Sequence, residues 1–293
     1  MSYQNLALLL AFGGVGLSAL GCGQSARGIR MEGSDTMVNL AQAWAEKYHQ
    51  KNPEAKVQVL GGGSGVGIAS LIDGNCDLAN CSREIEPKEN ARVKAARGVE
   101  AKEHVVGYDA LAVYVHKDNP LDAISIEELA EIYGKDGRIT KWSQLGIDSK
   151  AVGNDEIVRV SRQNSSGTYA YFAEVVLGKG RDYKLGSIDQ SGSKDVVALV
   201  SKTPGAIGYS GMGYASPGVK MLKISAKKGE TGIAPTVENA MRKQDRYPIT
   251  RSLLIFTAGE PEGQTKEFLD WILGPGGQKI VEQQGYIPLA KHE

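Results

Sequence analysis

The sequence is poor in the residues that metal, redox and nucleophilic sites most often use. Its 293 residues include only four histidines and three cysteines, and aromatic residues make up 6%. The histidines, at 49, 104, 116 and 292, lack the spacing of a metal site. Basic and acidic side chains number 34 each, so the total charge gives no attraction to nucleic acid or to an acidic membrane. We therefore expect a locally recognised partner, with no metal, no cofactor and no nucleic acid.

Motifs of common enzyme classes are also missing. The sequence has no G-x-x-x-x-G-K-[ST] nucleotide loop and no H-E-x-x-H zinc motif. It has no G-x-S-x-G elbow either, because the second residue after Ser64 is Val66 and the second after Ser210 is Met212. Catalysis on a phosphate ester needs a nucleophile with its base, or a metal ion. We therefore expect no enzyme, and a phosphate-ester hydrolase is the less favoured alternative.

The one long apolar run lies at the N-terminus, at residues 6–20, and is too short to span a membrane. It is typical of a sorting signal, although no Lys or Arg precedes it. Ala19-Leu20-Gly21-Cys22 resembles a bacterial lipobox, with Ala19 where leucine is more usual. We expect residues 1–27 to be a signal segment and linker, with Cys22 lipidated and the protein held in the periplasm or at the outer face of the cell membrane. An ordinary cleaved signal or an uncleaved anchor is the alternative.

The other two cysteines are Cys76 and Cys81. If residues 77–80 form one extended strand, the two Cα atoms lie roughly 16 Å apart, beyond the reach of a disulfide. A bridge would need a tight turn there. The sequence favours two small buried thiols beside a strand, with no metal role.

Strand-like and helix-like segments alternate along the mature chain, which indicates an α/β fold. Two strong strands, near 110–115 and 253–256, lie where the chain could cross between two lobes. We predict that lobe 1 comprises residues 28–113 plus 252–293, and that lobe 2 comprises residues 114–251. Each lobe is expected to contain a mixed β-sheet flanked by helices.

Three turns rich in Gly, Ser and Thr each lie between a strand-like and a helix-like segment, at residues 33–36, 61–65 and 164–168. The first N–H groups of a helix have no intrahelical partner, and the helix dipole adds partial positive charge there. Each turn is therefore a candidate oxyanion-binding site. Only the third turn has a cation close by in sequence. This is Arg162, whose planar guanidinium can bind two oxygens of a tetrahedral anion. The sequence therefore predicts a receptor for a small anion, bound between the lobes.

These turns occur in an order that resembles a known family. The matching stretches are Gly33-Ser34-Asp35-Thr36-Met37, Gly63-Ser64-Gly65, Asp77-Leu78-Ala79-Asn80-Cys81-Ser82-Arg83, Arg162-Gln163-Asn164-Ser165-Ser166-Gly167-Thr168, Gly205-Ala206-Ile207-Gly208-Tyr209 and Tyr247-Pro248-Ile249. They resemble the phosphate-binding proteins of the bacterial ABC-type phosphate transporter. The resemblance implies a two-lobed periplasmic binding protein fold, type II-like, with the ligand in the cleft between lobes. It also implies a monomer that captures inorganic phosphate and delivers it to an ABC permease driven by an ATPase.

Carried over position by position, the resemblance implies a site of neutral donors around one cation. The implied ligands are Thr36, Met37, Ser64, Gly65, Ser82, Arg162, Ser166, Gly167 and Thr168. Thr36 and Met37 are expected to act largely through their backbone N–H groups. Ser34, Asp35 and Arg83 are further candidates. A receptor for another tetrahedral oxyanion, sulfate or molybdate, is the nearest alternative.

Ser82 departs from the enterobacterial form of the family, in which a carboxylate accepts the proton of hydrogen phosphate. An acceptor-only group repels sulfate, which has no proton at neutral pH, whereas a serine hydroxyl serves either anion. We therefore expect weaker rejection of sulfate, unless Asp35 or Asp77 points into the site.

Asn164 is a second departure, because that form of the family has an acid there that pairs with the arginine. We therefore expect Arg162 to be less neutralised and more available to the anion. Two interpretations of Arg83 stay open: it supplements Arg162, or it packs at the surface on Glu84 or Glu86.

Overall fold

The computed structural model describes residues 28–242 and 244–289, so Cys22 and the predicted signal segment lie outside the described residues. The strands within these ranges are β1 (Ile29–Gly33), β2 (Val57–Leu60), β3 (Leu78–Cys81), β4 (Ala101–His116), β5 (Ala123–Ser125), β6 (Val158–Arg162), β7 (Ile188–Gln190), β8 (Ala206–Gly211), β9 (Val219–Met221), β10 (Lys223–Ser225) and β11 (Thr250–Ala258). The α-helices are α1 (Val38–Lys51), α2 (Ser64–Asp73), α3 (Pro87–Arg97), α4 (Ile126–Tyr133), α5 (Gly167–Phe172), α6 (Ser193–Val200), α7 (Val237–Met241), α8 (Gly263–Leu273) and α9 (Pro275–Gln283). Short 3-10 turns are Trp142–Leu145, Ser149–Ala151 and Met212–Tyr214, and a π turn follows α5 at Ala173–Leu177. Among these helices, none has the length and apolar character needed to cross a bilayer.

Local sequence signals explain where several helices begin and end. Pro87 opens α3, and Gly98 ends it in the left-handed conformation with φ 76°. Before α4, the Ser125 hydroxyl accepts the Glu128 N–H at 3.1 Å. The Glu128 carboxylate in turn accepts the Ser125 N–H at 3.1 Å. This pair is a capping box, which the spacing of Ser125 and Glu128 in the sequence favours.

A single strand, β4, connects the two halves of the molecule. Its residues 101–110 pair antiparallel with β11, and its residues 111–115 pair antiparallel with β8. On one side the sheet continues through parallel β3, β1 and β2, and on the other through parallel β6 and β7. The change of partner between Ala110 and Leu111 lies in the same strand as the predicted boundary at 113/114.

Each half has its own buried core. Helices α1, α8 and α9 cover one face of the first half, where Trp44 and Phe268 are fully buried. The opposite face packs under α2 and α3, around Leu71 and Phe256. The second half has a larger core on one face of its strands, which includes the buried Trp142, and a smaller core under α6. Each half therefore has a packed core on both faces of its strands.

The two described cysteines confirm the expectation of separate thiols. Cys76 and Cys81 are both free and buried. Burial raises the pKa of Cys76 to about 12 and raises that of Cys81 further above its usual value. Both thiols therefore stay protonated and unreactive at neutral pH.

Candidate functional site

The three turns rich in Gly, Ser and Thr meet where the two halves face each other. Thr36 Oγ1, from the first half, lies 2.9 Å from Thr168 Oγ1, from the second. The Gly65 N–H donates to the Ser165 carbonyl at 3.0 Å. The Ser165 hydroxyl in turn donates to the Gly62 carbonyl at 3.2 Å. The N-terminal ends of α1 and α2 therefore lie opposite the turn that precedes α5.

Glycines at two positions allow this close approach. A Cβ on Gly167 would lie 2.3 Å from Ser64 Oγ and 2.7 Å from Ser82 Oγ, both in the other half. A Cβ on Gly63 would lie 2.6 Å from the Ser165 carbonyl oxygen, and Gly63 also has a φ of +100°. Real Cβ atoms do not make such short contacts, and side chains rarely adopt this φ. Only glycine fits at either position while the halves are together.

Buried hydroxyl groups line the meeting point, and three of them, Ser64, Ser82 and Ser166, accept a hydrogen bond from the protein. The Ser34 hydroxyl donates to Ser82 Oγ at 2.9 Å. The Ser82 N–H donates to Ser64 Oγ at 3.1 Å, and the Thr168 N–H donates to Ser166 Oγ at 3.2 Å. A hydroxyl that accepts from the protein keeps its one hydrogen for donation. The cluster can therefore present several O–H donors to an oxyanion.

Arg162 is the last residue of β6 and lies where the two halves meet, with its side chain 1% exposed. Its Nη1 donates to Ser193 Oγ at 3.0 Å, and its Nη2 donates to the Ser191 carbonyl at 2.8 Å and to Asp35 Oδ2 at 3.0 Å. The Nε group is buried and has no partner among the described residues. Burial lowers the pKa of Arg162 from its usual value and Asp35 opposes this shift, but a guanidinium stays charged at neutral pH. An anionic oxygen would satisfy this unpaired donor.

The expectation of a less neutralised Arg162 is wrong. Asn164 is indeed uncharged, but Asp35 of the other half supplies the carboxylate in its place. The second oxygen of Asp35 accepts the Gly62 N–H at 3.0 Å. Of the two carboxylates named above as conditional acceptors of the phosphate proton, Asp35 therefore lies at the site.

Arg83 and Asp77 are turned to other partners. Arg83 makes two hydrogen bonds to the Glu89 carboxylate, of 2.7 and 2.8 Å, and a third to the Glu84 carbonyl at 2.8 Å. Its main partner is therefore Glu89, which neither interpretation from the sequence named. Asp77 pairs with Arg30 at 3.3 Å and does not join the site.

Two of the predicted backbone donors are bonded to protein carbonyls. The Met37 N–H donates to the Ser34 carbonyl at 2.9 Å, and the Gly65 N–H donates to Ser165. Their roles as ligands stay predictions. Within residues 28–242 and 244–289, no three His, Cys, Asp or Glu side chains lie close enough together to hold a metal ion.

A second buried ion pair adjoins the site, and sequence reasoning missed it. Arg251 binds Asp109 at 2.8 Å, and their side chains are 2% and 0% exposed. Arg251 also contacts Thr36 Oγ1 at 3.2 Å and the Ser82 carbonyl at 3.2 Å. Burial raises the pKa of Asp109, and the charge of Arg251 opposes this. The available signal was a charged residue at the start of each of the two apolar strands.

Comparisons with known proteins identify the family. The chain matches the model of the PBP superfamily domain over residues 21–275. It is 34% identical over 274 residues to the phosphate-binding protein PstS of Bacillus subtilis, covering 93% of this chain and 84% of that protein. The PstS of Pseudomonas aeruginosa is 32% identical over 267 residues, covering 88% of this chain and 81% of that protein. The chain belongs to the PstS family of phosphate-binding proteins.

Solved structures of PstS-type proteins share this fold. A substrate-binding protein of a phosphate ABC transporter from Clostridium perfringens, solved with bound phosphate, aligns with a TM-score of 0.78 at 28% identity. That alignment covers 90% of this chain and all of the other. A phosphate transport receptor from Vibrio cholerae aligns with a TM-score of 0.67 at 28% identity, covering 89% of this chain and all of the receptor. These relatives confirm the predicted two-lobed α/β fold and the predicted family.

Membership of the PstS family also fixes the general class of activity. Its members are substrate-binding proteins of transport systems rather than enzymes. The buried donors and the unpaired Nε of Arg162 suit this class, because they can hold an anion without a nucleophile to attack it.

Proposed function

We propose that this protein captures inorganic phosphate, as hydrogen phosphate, between its two halves and delivers it to an ABC permease driven by an ATPase. One observation carries the proposal: hydroxyl-rich turns from both halves meet beside Arg162, whose buried Nε lacks a protein partner among the described residues. The bound phosphate in the structure of the Clostridium perfringens relative supports the choice of anion. The proposed ligands are the nine residues predicted from the sequence, with Asp35 as a further contact.

The energetics favour a fully bonded anion. Moving a dianion out of water is unfavourable unless every oxygen is compensated by donors. Here the donors include several buried hydroxyl groups and one guanidinium. Because these donors come from both halves, the anion can bond to all of them only when the halves are together. We therefore propose that residues 28–113 plus 252–293 and residues 114–251 are lobes that close on phosphate.

We also propose that Cys22 is lipidated and holds a monomeric protein in the periplasm or at the outer face of the membrane. The lipobox-like sequence supports this part of the proposal. We propose no catalysis and no cofactor, because the site as described has neither a nucleophile with its base nor a group of metal ligands.

Selectivity against sulfate is expected to be incomplete. Ser82 Oγ accepts from Ser34, so its own hydrogen is available to an unprotonated sulfate oxygen as well as to phosphate. Asp35 is the carboxylate at the site, but each of its oxygens already accepts one hydrogen bond, from Gly62 or from Arg162, which leaves fewer lone pairs for the proton of hydrogen phosphate. We therefore expect sulfate to compete with phosphate measurably.

The test is calorimetric titration of the full chain, purified in detergent, with phosphate, arsenate, sulfate and molybdate. We expect saturable binding of phosphate and arsenate, and a lower apparent phosphate affinity in excess sulfate. No binding of phosphate, with tight binding of molybdate or sulfate alone, would assign the receptor to another oxyanion. Release of phosphate from p-nitrophenyl phosphate by the same preparation would favour the hydrolase alternative.

A further inference from the structure

The buried pair of Asp109 and Arg251 lies where the two halves join. Asp109 in β4 and Arg251 in β11 are direct cross-strand partners, one residue before β4 changes its pairing from β11 to β8. Arg251 Nε and Nη2 both donate to Asp109 Oδ2, at 3.1 and 2.8 Å. The Asp109 carboxylate also accepts the Met212 N–H at 3.3 Å. This network holds the guanidinium in one orientation.

The remaining donors of Arg251 reach two of the proposed phosphate ligands. Its Nη2 donates to Thr36 Oγ1 at 3.2 Å, and its Nη1 donates to the Ser82 carbonyl at 3.2 Å. The positive charge of Arg251 also contributes to lowering the pKa of Arg162, so the two cations lie near each other. One side chain from the joining strands is therefore bonded both to the turn that carries Thr36 and to Ser82, which directly follows β3.

We propose that Arg251, held by Asp109, is a positioning residue that directs the hydroxyl hydrogen of Thr36 toward the bound anion. The inference rests on the proposed function. A guanidinium has only donors, so Thr36 Oγ1 must accept the bond from Arg251. The single hydrogen of Thr36 then points away from Arg251, toward Thr168 Oγ1 or an anion oxygen at the same place. The bond to the Ser82 carbonyl holds the segment after β3 that carries Ser82.

The test removes both charges together, because removing one would leave the other buried and unpaired. The variants are Asp109→Asn/Arg251→Gln, Thr36→Val, and all three substitutions combined, each titrated with inorganic phosphate by calorimetry. We expect the charge-neutral pair and Thr36→Val each to weaken phosphate binding about tenfold, the effect of one hydrogen bond to a charged group. Because both act through one hydroxyl, the combined variant should be little weaker than either alone.

Two outcomes would overturn the inference. One is unchanged phosphate affinity in Asp109→Asn/Arg251→Gln. The other is a combined loss of about a hundredfold, the product of two independent effects, which a merely structural role would give. If the unmodified protein itself fails to bind phosphate, the proposed function fails. Binding by the unmodified protein with an unaffected variant rejects this inference alone.

Two further variants keep the test decisive. The matched control is Asp77→Asn/Arg30→Gln, an ion pair of the first half that bonds no proposed ligand, and we expect its phosphate affinity to stay within about twofold.

If the Asp109 variant does not fold, Arg251→Lys replaces it, because one ammonium keeps the charge but cannot hold Asp109, Thr36 and Ser82 in the same fork geometry. Thermal unfolding identifies folded variants. Unchanged affinity in a folded Arg251→Lys would also overturn the inference.

Discussion

Arg162 and the hydroxyl groups around it differ in how well their hydrogen-bonding groups are paired when no anion is bound. The serine and threonine hydroxyls of the site exchange hydrogen bonds with one another, whereas the buried Nε of Arg162 has no partner in the part of the chain that the structure describes. A buried charged donor that is left unpaired is more unfavourable than a neutral one. Arg162 therefore has the most to gain from a bound oxyanion.

Replacing Arg162 should accordingly weaken phosphate binding more than replacing a hydroxyl. We expect Arg162→Ala to weaken phosphate binding by about 2–3 kcal/mol and Ser64→Ala by about 1 kcal/mol, because the guanidinium adds charge–charge attraction to its hydrogen bond with the anion. Calorimetric titration with phosphate measures both. Ser201→Ala, which removes a hydroxyl outside the site, is the control. The reverse order of losses would count against this site.

Sequence reasoning at the scale of single residues succeeded where the ligands share a turn. Ser166 and Thr168, or Ser34 and Thr36, are brought together by local chain geometry, so their neighbourhood follows from spacing. The pairing of Asp35 with Arg162, 127 residues apart, does not. This pairing depends on how the two halves pack against each other, and local sequence patterns do not reveal contacts between distant residues. Arg251 and Asp109, 142 residues apart, were missed for the same reason.

At the scale of elements, the predicted alternation of strands and helices is confirmed, but the sequence underestimated β4. The apolar run at 110–116 predicted a strand there, while the strand begins at Ala101. Polar residues, among them Lys102, Glu103 and His104, interrupt the hydrophobic pattern in its first part. Pairing with β11 nevertheless keeps this part extended, because the ladder is set by the partner strand rather than by local side chains.

The approach of α5 to the first half gives a prediction for Gly167. A methyl group there would clash with Ser64 Oγ and Ser82 Oγ, so the turns could not meet as described. We expect Gly167→Ala to weaken phosphate binding at least tenfold while changing the melting temperature of the free protein little. Calorimetry and thermal unfolding measure the two effects. Gly205→Ala is the matched control, because a Cβ there makes only ordinary contacts of 3.4 Å and longer. Equal affinity in the two variants would show that the turns separate in the bound state.

For the whole molecule, the side-chain contacts between the halves cluster around Asp35. Its carboxylate pairs with Arg162, and its carbonyl accepts the Tyr214 hydroxyl at 2.6 Å. The nearby bond between Thr36 and Thr168 adds a third link. Ser165 also bonds Gly62 and Gly65, and the paired strands β4 and β11 connect the halves at the other side. These are the bonds that opening of the proposed lobes would break.

Removing the Asp35 carboxylate should shift the protein toward an open form. If the ion pair contributes about 1.4 kcal/mol to closure, Asp35→Ala raises the open-to-closed ratio about tenfold. Small-angle X-ray scattering without phosphate should then give a larger radius of gyration for the variant than for the unmodified protein. Asp182→Ala, which breaks an exposed pair with Lys135 inside the second half, is the control. Superimposable scattering curves for Asp35→Ala and the unmodified protein would contradict a role of this pair in closure.

The late position of β11 in the chain has a consequence for biogenesis. Strand β3 is antiparallel to β11, so until residues 250–258 emerge its backbone edge lacks that neighbour. Most of the second half, in contrast, is contiguous in sequence and can assemble earlier. A nascent polypeptide arrested before residue 250 would therefore expose the unpaired edge of β3, which promotes aggregation. We expect chaperones that prevent aggregation to bind the first half rather than the second.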